Sequence, residues 1–152
     1  MKLFAELDDH RQPDVVQFEL DKWIDTAPFE IMLGLKIERA ADGEALLTLP
    51  FTVKLANGGG VMHGGAMTSL SDTAVAMAIK SLLPSGTAFA TTGLTMEFLA
   101  PVISGVVHAR AQVKKSGERT FRGSCELLGE YRQLYARFTS VFKVVRQQSL
   151  NL

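Results

Sequence analysis

What this chain has little of narrows its function first. Cys125 is the only cysteine in 152 residues, so no internal disulfide and no cysteine-rich metal site can form, in keeping with a reducing compartment. Neither sign of charge is in excess. Lys+Arg and Asp+Glu number 16 each, and no general attraction to nucleic acid or anionic lipid follows. No apolar run reaches membrane-spanning length, and the opening residues lack the apolar stretch of a signal peptide. A cytoplasmic protein without a membrane partner is therefore expected. The histidines His10, His63 and His108 are scattered without metal-ligand spacing. The phosphate-cradling G-x-x-x-x-G-K-[ST] motif and the dinucleotide fingerprint are missing, and neither a metal nor another cofactor is expected. With 47% apolar and 21% charged residues, the chain reads as one globular domain, residues 1–152, large enough for a real core.

Charge is scarcest between Lys54 and Glu97, where only Asp72 and Lys80 carry one. Asp72 sits in the run H-G-G-A-M-T-S-L-S-D-T-A-V-A-M-A from His63. A helix is expected from Gly65 to about Leu82, ended by Pro84-Ser85-Gly86. Ala66, Leu70, Ala74 and Met77 share the stripe that should meet a sheet, while Gly65, Ser69, Asp72 and Ala76 share a small, polar one. A helix this apolar must be nearly enclosed, and a carboxylate on it is costly to bury without a partner.

The rest of the chain supplies the enclosure. A helix is expected over 14–33, with Asp14 as N-cap, a stripe of Val15, Phe18, Trp23 and Ile24, and a restart at Pro28–Met32 closed by Gly34. Residues 35–49 read as a hairpin or two strands, with a turn at Asp42-Gly43. Strands follow at Phe89–Leu99, Val106–Lys114, Arg119–Leu128 and Leu134–Val145, with turns at Lys115–Glu118 and Gly129–Arg132. The fold class is α+β: one central helix with a meander of antiparallel strands wrapped on it.

The first N–H groups of a helix have no internal partner and carry the positive end of its dipole, so Gly64 and Gly65 offer an oxyanion site. Glycine there also serves a tight turn. Asn57, before Gly58-Gly59-Gly60, could shape that loop or hydrogen-bond a substrate carbonyl. On local features alone, Asp72 is either a satisfied structural acid or a catalytic one. Gly64 and Asp72 are separated by about 12 Å of helical rise, and His63 and Asp72 by about 13 Å. A donor and a carboxylate must each lie about 3 Å from one reacting group. If they share a site, two chains must exchange them, and a dimer with two equivalent sites follows. Ser69 and Ser71 lack a His–Asp relay, and Cys125 reads as core.

Residues Asn57 to Ala74, N-G-G-G-V-M-H-G-G-A-M-T-S-L-S-D-T-A, resemble the signature of the hotdog-fold acyl-CoA thioesterases of the PaaI-like, phenylacetate-degradation type. P-F-E-I-M-L-G-L-K-I, T-M-E-F-L-A-P and S-G-E-R-T extend the resemblance over about Trp23 to Val145. It implies a long antiparallel sheet around one central helix, in dimers joined edge to edge and often paired into tetramers. It implies an acyl-CoA substrate, Asp72 as general base or nucleophile, the Gly64 N–H as oxyanion donor, Asn57 as a positioner of carbonyl or water, and Thr91 (or its neighbour Thr92) orienting the water. Asp72 would come from the chain opposite Gly64 and Asn57. Substrate would also pass His63, Gly65, Phe98, Leu99 and Pro101, with coenzyme A along Lys115, Ser116, Gly117, Arg119 and Thr120. Two other functions on this fold are a non-catalytic acyl-CoA-binding module, which needs no carboxylate at 72, and a hydratase or dehydratase. The latter wants a histidine with an acidic partner, and His63 has no acid near it in sequence.

Overall fold

Strict alternation after Val106 dictates long strands with one apolar face. The structure, a computed structural model describing residues 1–3 and 18–146, builds them into one sheet. A two-residue pair, β1 (Lys2–Leu3) and β2 (Phe18–Glu19), stands apart. The main sheet comprises β3 (Lys36–Ala41), β4 (Glu44–Pro50), β5 (Phe89–Phe98), β6 (Val106–Lys115), β7 (Thr120–Leu128) and β8 (Leu134–Val144). Their order is β3-β4-β6-β7-β8-β5, antiparallel throughout. The short helix α1 (Pro28–Leu33) precedes the sheet, and α2 (Gly64–Lys80) lies across its inner face. The expected arrangement, a long antiparallel sheet around one central helix, is the one observed.

The stripe assigned to the core is in the core. Leu70 and Ala74 are fully buried and Ala66 and Met77 nearly so, against Leu47, Leu49, Val107 and Leu127 of the sheet. Each fully buried leucine or valine contributes about 1.5–3 kcal/mol. The opposite stripe, with Ser69, Asp72 and Ala76, is only half-buried. Among the described residues no helix is long and apolar enough to cross a membrane.

One expected element is corrected. Of the helix expected over 14–33, only Pro28–Leu33 is helical among the described residues. Phe18 belongs to β2, residues 20–27 are irregular, and Asp14 and Val15 lie outside the described residues. The helical spacing of Phe18, Trp23 and Ile24 is overruled by tertiary bonds, because Trp23 is fastened to the far end of α2. α1 itself begins at Pro28 and ends on Gly34 in the left-handed region (φ 86°), which donates its N–H to the Glu30 and Ile31 carbonyls. The Asp42-Gly43 turn has φ of 53° and 78°, the pair a two-residue hairpin requires. Strand and helix ends otherwise fall within about two residues of expectation. Arg119 sits in the β6–β7 turn rather than in a strand.

An irregularity in β5 has consequences for the site. Its pairing with β8 slips between Thr91 and Gly93, leaving Thr92 as the extra residue of a bulge. Side chains alternate faces along a strand, so Thr91 and Phe98, seven apart, would point to opposite faces of a regular one. The bulge brings both to the helix side. It also turns Leu94 to that side, yet Leu94 and Phe98 remain 47% and 54% exposed because β5 is the sheet's last strand. Together they form an uncovered apolar edge.

Candidate active site

Asp72 projects from the half-buried stripe of α2 toward β5. The Thr91 hydroxyl lies 3.0 Å from one of its carboxylate oxygens and 3.1 Å from the other. One hydroxyl proton therefore serves both oxygens. Burial pushes the Asp72 carboxyl above the ordinary carboxylate range, and the Thr91 hydrogen bond offsets only part of that. Of the two threonines the resemblance allowed, Thr91 is the one at the carboxylate. The Thr92 hydroxyl donates instead to the Val141 carbonyl at 3.2 Å.

The helix start holds the second half of the constellation. His63 caps α2: its Nδ1 accepts the Gly65 N–H at 2.8 Å. A Cβ on Gly65 would meet that nitrogen at 2.9 Å, so a bare Cα lets the cap form. The Ala66 and Met67 N–H groups bond the His63 carbonyl. Among the described residues the Gly64 N–H alone of this first turn has no partner. Of the two glycines offered by sequence, Gly64 keeps its donor and Gly65 spends it on the cap. His63, with Nδ1 so engaged, holds the turn and has no acidic partner among the described residues.

The 57–62 loop is pinned rather than loose. The Asn57 Oδ1 accepts the Gly59 N–H at 2.8 Å, the Asn57 N–H bonds the Val61 carbonyl, and the Met62 N–H bonds Val102. The Asn57 amide NH2 has no intramolecular partner among the described residues. Asn57, Gly64, Phe98, Leu99 and Pro101 line one cleft of about 360 Å³. Phe98 lies over Gly64 so closely that a Cβ there would fall 3.0 Å from the ring.

One chain does not bring the two halves together. Asp72 lies about 12 Å along the helix from Gly64, and Thr91 about 23 Å along β5 from Phe98. The Lys115–Thr120 turn lies beside the Thr91 end: Phe89 pairs with Val144, whose carbonyl accepts from the Arg119 guanidinium at 3.1 Å. Ser116 and Thr120 close that turn through the Ser116 N–H. Cys125 is buried, its thiol pushed up to about 12 chiefly by desolvation, as suits a core residue. Sequence reasoning left Lys80 and Trp23 out of any site. The signal for Lys80 was present, since it is the other charge in the charge-poor stretch.

Residues 59–135 match the thioesterase superfamily. The chain belongs to that superfamily. Over 107 residues it is 34% identical to the acyl-coenzyme A thioesterase PaaI of Escherichia coli (strain K12), covering 70% of this chain and 74% of the relative. The solved structure of E. coli PaaI, from the phenylacetic acid degradation operon, aligns with a TM-score of 0.72 at 30% identity, over 79% of this chain and 86% of that one. The conserved protein PA5202 from Pseudomonas aeruginosa aligns at 0.77 and 28% identity, over 81% and 97%. This PaaI-like thioesterase-superfamily chain thus carries Gly64, Asp72, Thr91 and all of β5 within the matched segment.

Proposed function

We propose that this protein hydrolyses an acyl- or aryl-acyl-CoA thioester to the free acid and coenzyme A. The observation that carries this is the half-buried Asp72 carboxylate, raised in pKa and held, among the described residues, by a single donor, on the same helix as a Gly64 N–H that has no partner among them. The thioester carbonyl binds at the Gly64 N–H, with the free Asn57 amide as a second donor. Asp72 takes a proton from water as the water oxygen attacks the carbonyl carbon. The tetrahedral intermediate then expels the CoA thiolate, which is protonated. Alternatively Asp72 attacks directly and water hydrolyses the resulting anhydride. An oxyanion donor of this kind is worth about 3–4 kcal/mol in the transition state, and a general base about 10²–10⁴-fold.

The two halves meet across a dimer. β5 has a free edge, and an antiparallel pairing of two β5 strands centred near Leu94 and Thr95 sets Thr91 opposite the partner subunit's Phe98. That pairing covers the apolar edge and satisfies backbone groups that an edge strand leaves open. Asp72 then faces the partner subunit's Gly64, and the Lys115–Thr120 turn comes beside the partner subunit's Pro101, where it can grip coenzyme A. Pairing of such dimers into tetramers is compatible with this arrangement.

A mixing experiment tests both statements. Asp72→Asn and Asn57→Ala proteins should each lose at least about 10²-fold in kcat for thiol release. Unfolded together and refolded, they should recover about a quarter of wild-type activity, because half the dimers are mixed and each of those has one intact site. Full activity of Asp72→Asn alone removes Asp72 from the mechanism. Two inactive variants with no recovery on mixing place the site within one chain.

A further inference from the structure

Asp72 opens onto a groove that runs along α2 away from Gly64. Ala76 and Met77 form part of its floor, Ala88–Thr91 one wall, and the segment from Trp23 to Glu30 the other, enclosing about 370 Å³. The groove ends at a clasp between residues far apart in sequence. Trp23 Nε1 donates to the Lys80 carbonyl at 3.0 Å, and Lys80 Nζ donates to the Trp23 carbonyl at 2.9 Å. The ammonium also lies 4.7 Å from the centroid of the indole. The other charged groups on this wall are turned to their own backbone. Asp25 accepts the Thr26 N–H at 2.9 Å and Glu30 the Ala27 N–H at 2.7 Å. The result is a trough with a carboxylate at one end and an indole at the other; its floor and β5 wall are mostly small or apolar, and its outer wall carries Asp25 and Glu30.

Its length selects its occupant. Asp72 and Lys80 are separated by about 12 Å of helical rise, and an extended chain advances about 1.2 Å per bond. We infer that this groove takes the acyl chain of the substrate, and that the Trp23–Lys80 clasp is its length stop, favouring unbranched acyl-CoAs of about eight to ten carbons. This rests on Asp72 being the reacting carboxylate. Each methylene buried along the floor strengthens binding about fourfold. A longer chain must break two hydrogen bonds and a cation–π contact to advance, so selectivity falls off beyond the stop.

Trp23 is the only tryptophan, so its emission reports whether a chain reaches the clasp. Asp72→Asn protein is titrated with acetyl-, phenylacetyl-, octanoyl-, decanoyl- and palmitoyl-CoA while tryptophan fluorescence is read. The same thioesters give kcat/KM for wild type and Trp23→Ala. The expected result is a change of emission with octanoyl- and decanoyl-CoA and none with acetyl- or phenylacetyl-CoA. Wild-type kcat/KM should rise about fourfold per added methylene to a maximum near eight to ten carbons and fall at least about tenfold by palmitoyl-CoA. Trp23→Ala should move that maximum to longer chains. The inference is overturned by an Asp72→Asn protein whose Trp23 emission is the same with acetyl- and decanoyl-CoA, or by a wild-type enzyme whose best substrate is phenylacetyl-CoA. Emission that depends on chain length in a protein that hydrolyses none of the thioesters overturns the hydrolase proposal and leaves the groove assignment standing. The fluorescence arm keeps Trp23, so it decides the matter even if Trp23→Ala fails to fold.

Discussion

Replacing Gly123 by alanine drives a methyl group into Val75. Gly123 lies in β7 under the middle of α2, and an added Cβ would overlap Val75 Cγ1, with Val75 Cγ2 at 3.0 Å and Ser140 Oγ at 3.2 Å. Val75 is fully buried and, being β-branched in a helix, has one favoured rotamer. α2 cannot lift away cheaply, because Leu70, Ala74 and Ala78 are also fully buried. Overpacking of this kind costs about 1–3 kcal/mol. The overlap puts this site at the upper end, less about 0.4–1 kcal/mol from the stiffer unfolded chain. A net loss of about 2 kcal/mol corresponds to a Tm lower by about 4–8 °C for a chain of this size. Asp72 is one turn from Val75, so a displaced helix also disturbs the Thr91 contact and lowers kcat. Val75→Ala alone should cost about 2–3 kcal/mol through lost burial and the cavity left behind. In the double variant the new methyl occupies part of that cavity, so the two losses should fall short of additive by about 2 kcal/mol. Thermal and urea unfolding followed by circular dichroism measure all four corners of this cycle. An unchanged Tm in Gly123→Ala, or strict additivity, refutes the idea that glycine is there for close approach of helix and sheet.

The raised Asp72 carboxyl carries a stability signature of definite sign. A folded-state pKa above the unfolded value favours folding at low pH, and that advantage is lost as pH rises through the folded pKa. Asp72→Asn should therefore unfold at a higher Tm than wild type at neutral pH, and the gap should close below about pH 4; a constant gap contradicts the assignment. Thr91→Val removes the only donor to the carboxylate among the described residues, so the acid limb of the kcat–pH profile should move to higher pH and kcat should fall about tenfold or more. Thr92→Val should leave that limb in place. Cys125, buried with its thiol at about 12, should resist a thiol reagent in the native protein and react fully in denaturant; rapid native labelling contradicts the packing described for β7.

Much of the molecule was legible in the chain because it follows from local periodicity. The α2 stripe of Ala66, Leu70, Ala74 and Met77, the alternation from Val106 to Lys114, and the Asp42-Gly43 turn are each set by residues within a few positions of one another. So was the prominence of Asp72, since a single acid in a charge-poor apolar helix must have a partner or a task. The arithmetic of helical rise even separated Asp72 from Gly64 before any coordinates. Three features depended on the packed chain rather than on local periodicity. The expected N-terminal helix gave way between residues 18 and 27 because Trp23 bonds Lys80, 57 residues on. The choice between Thr91 and Thr92 turned on a bulge, which breaks the two-residue period on which such a choice relies. The division of labour at the helix start, Gly65 to the cap and Gly64 to solvent, required the position of the His63 ring. Periodicity tells which face a side chain takes, but only the packed chain decides which of two adjacent groups finds its partner.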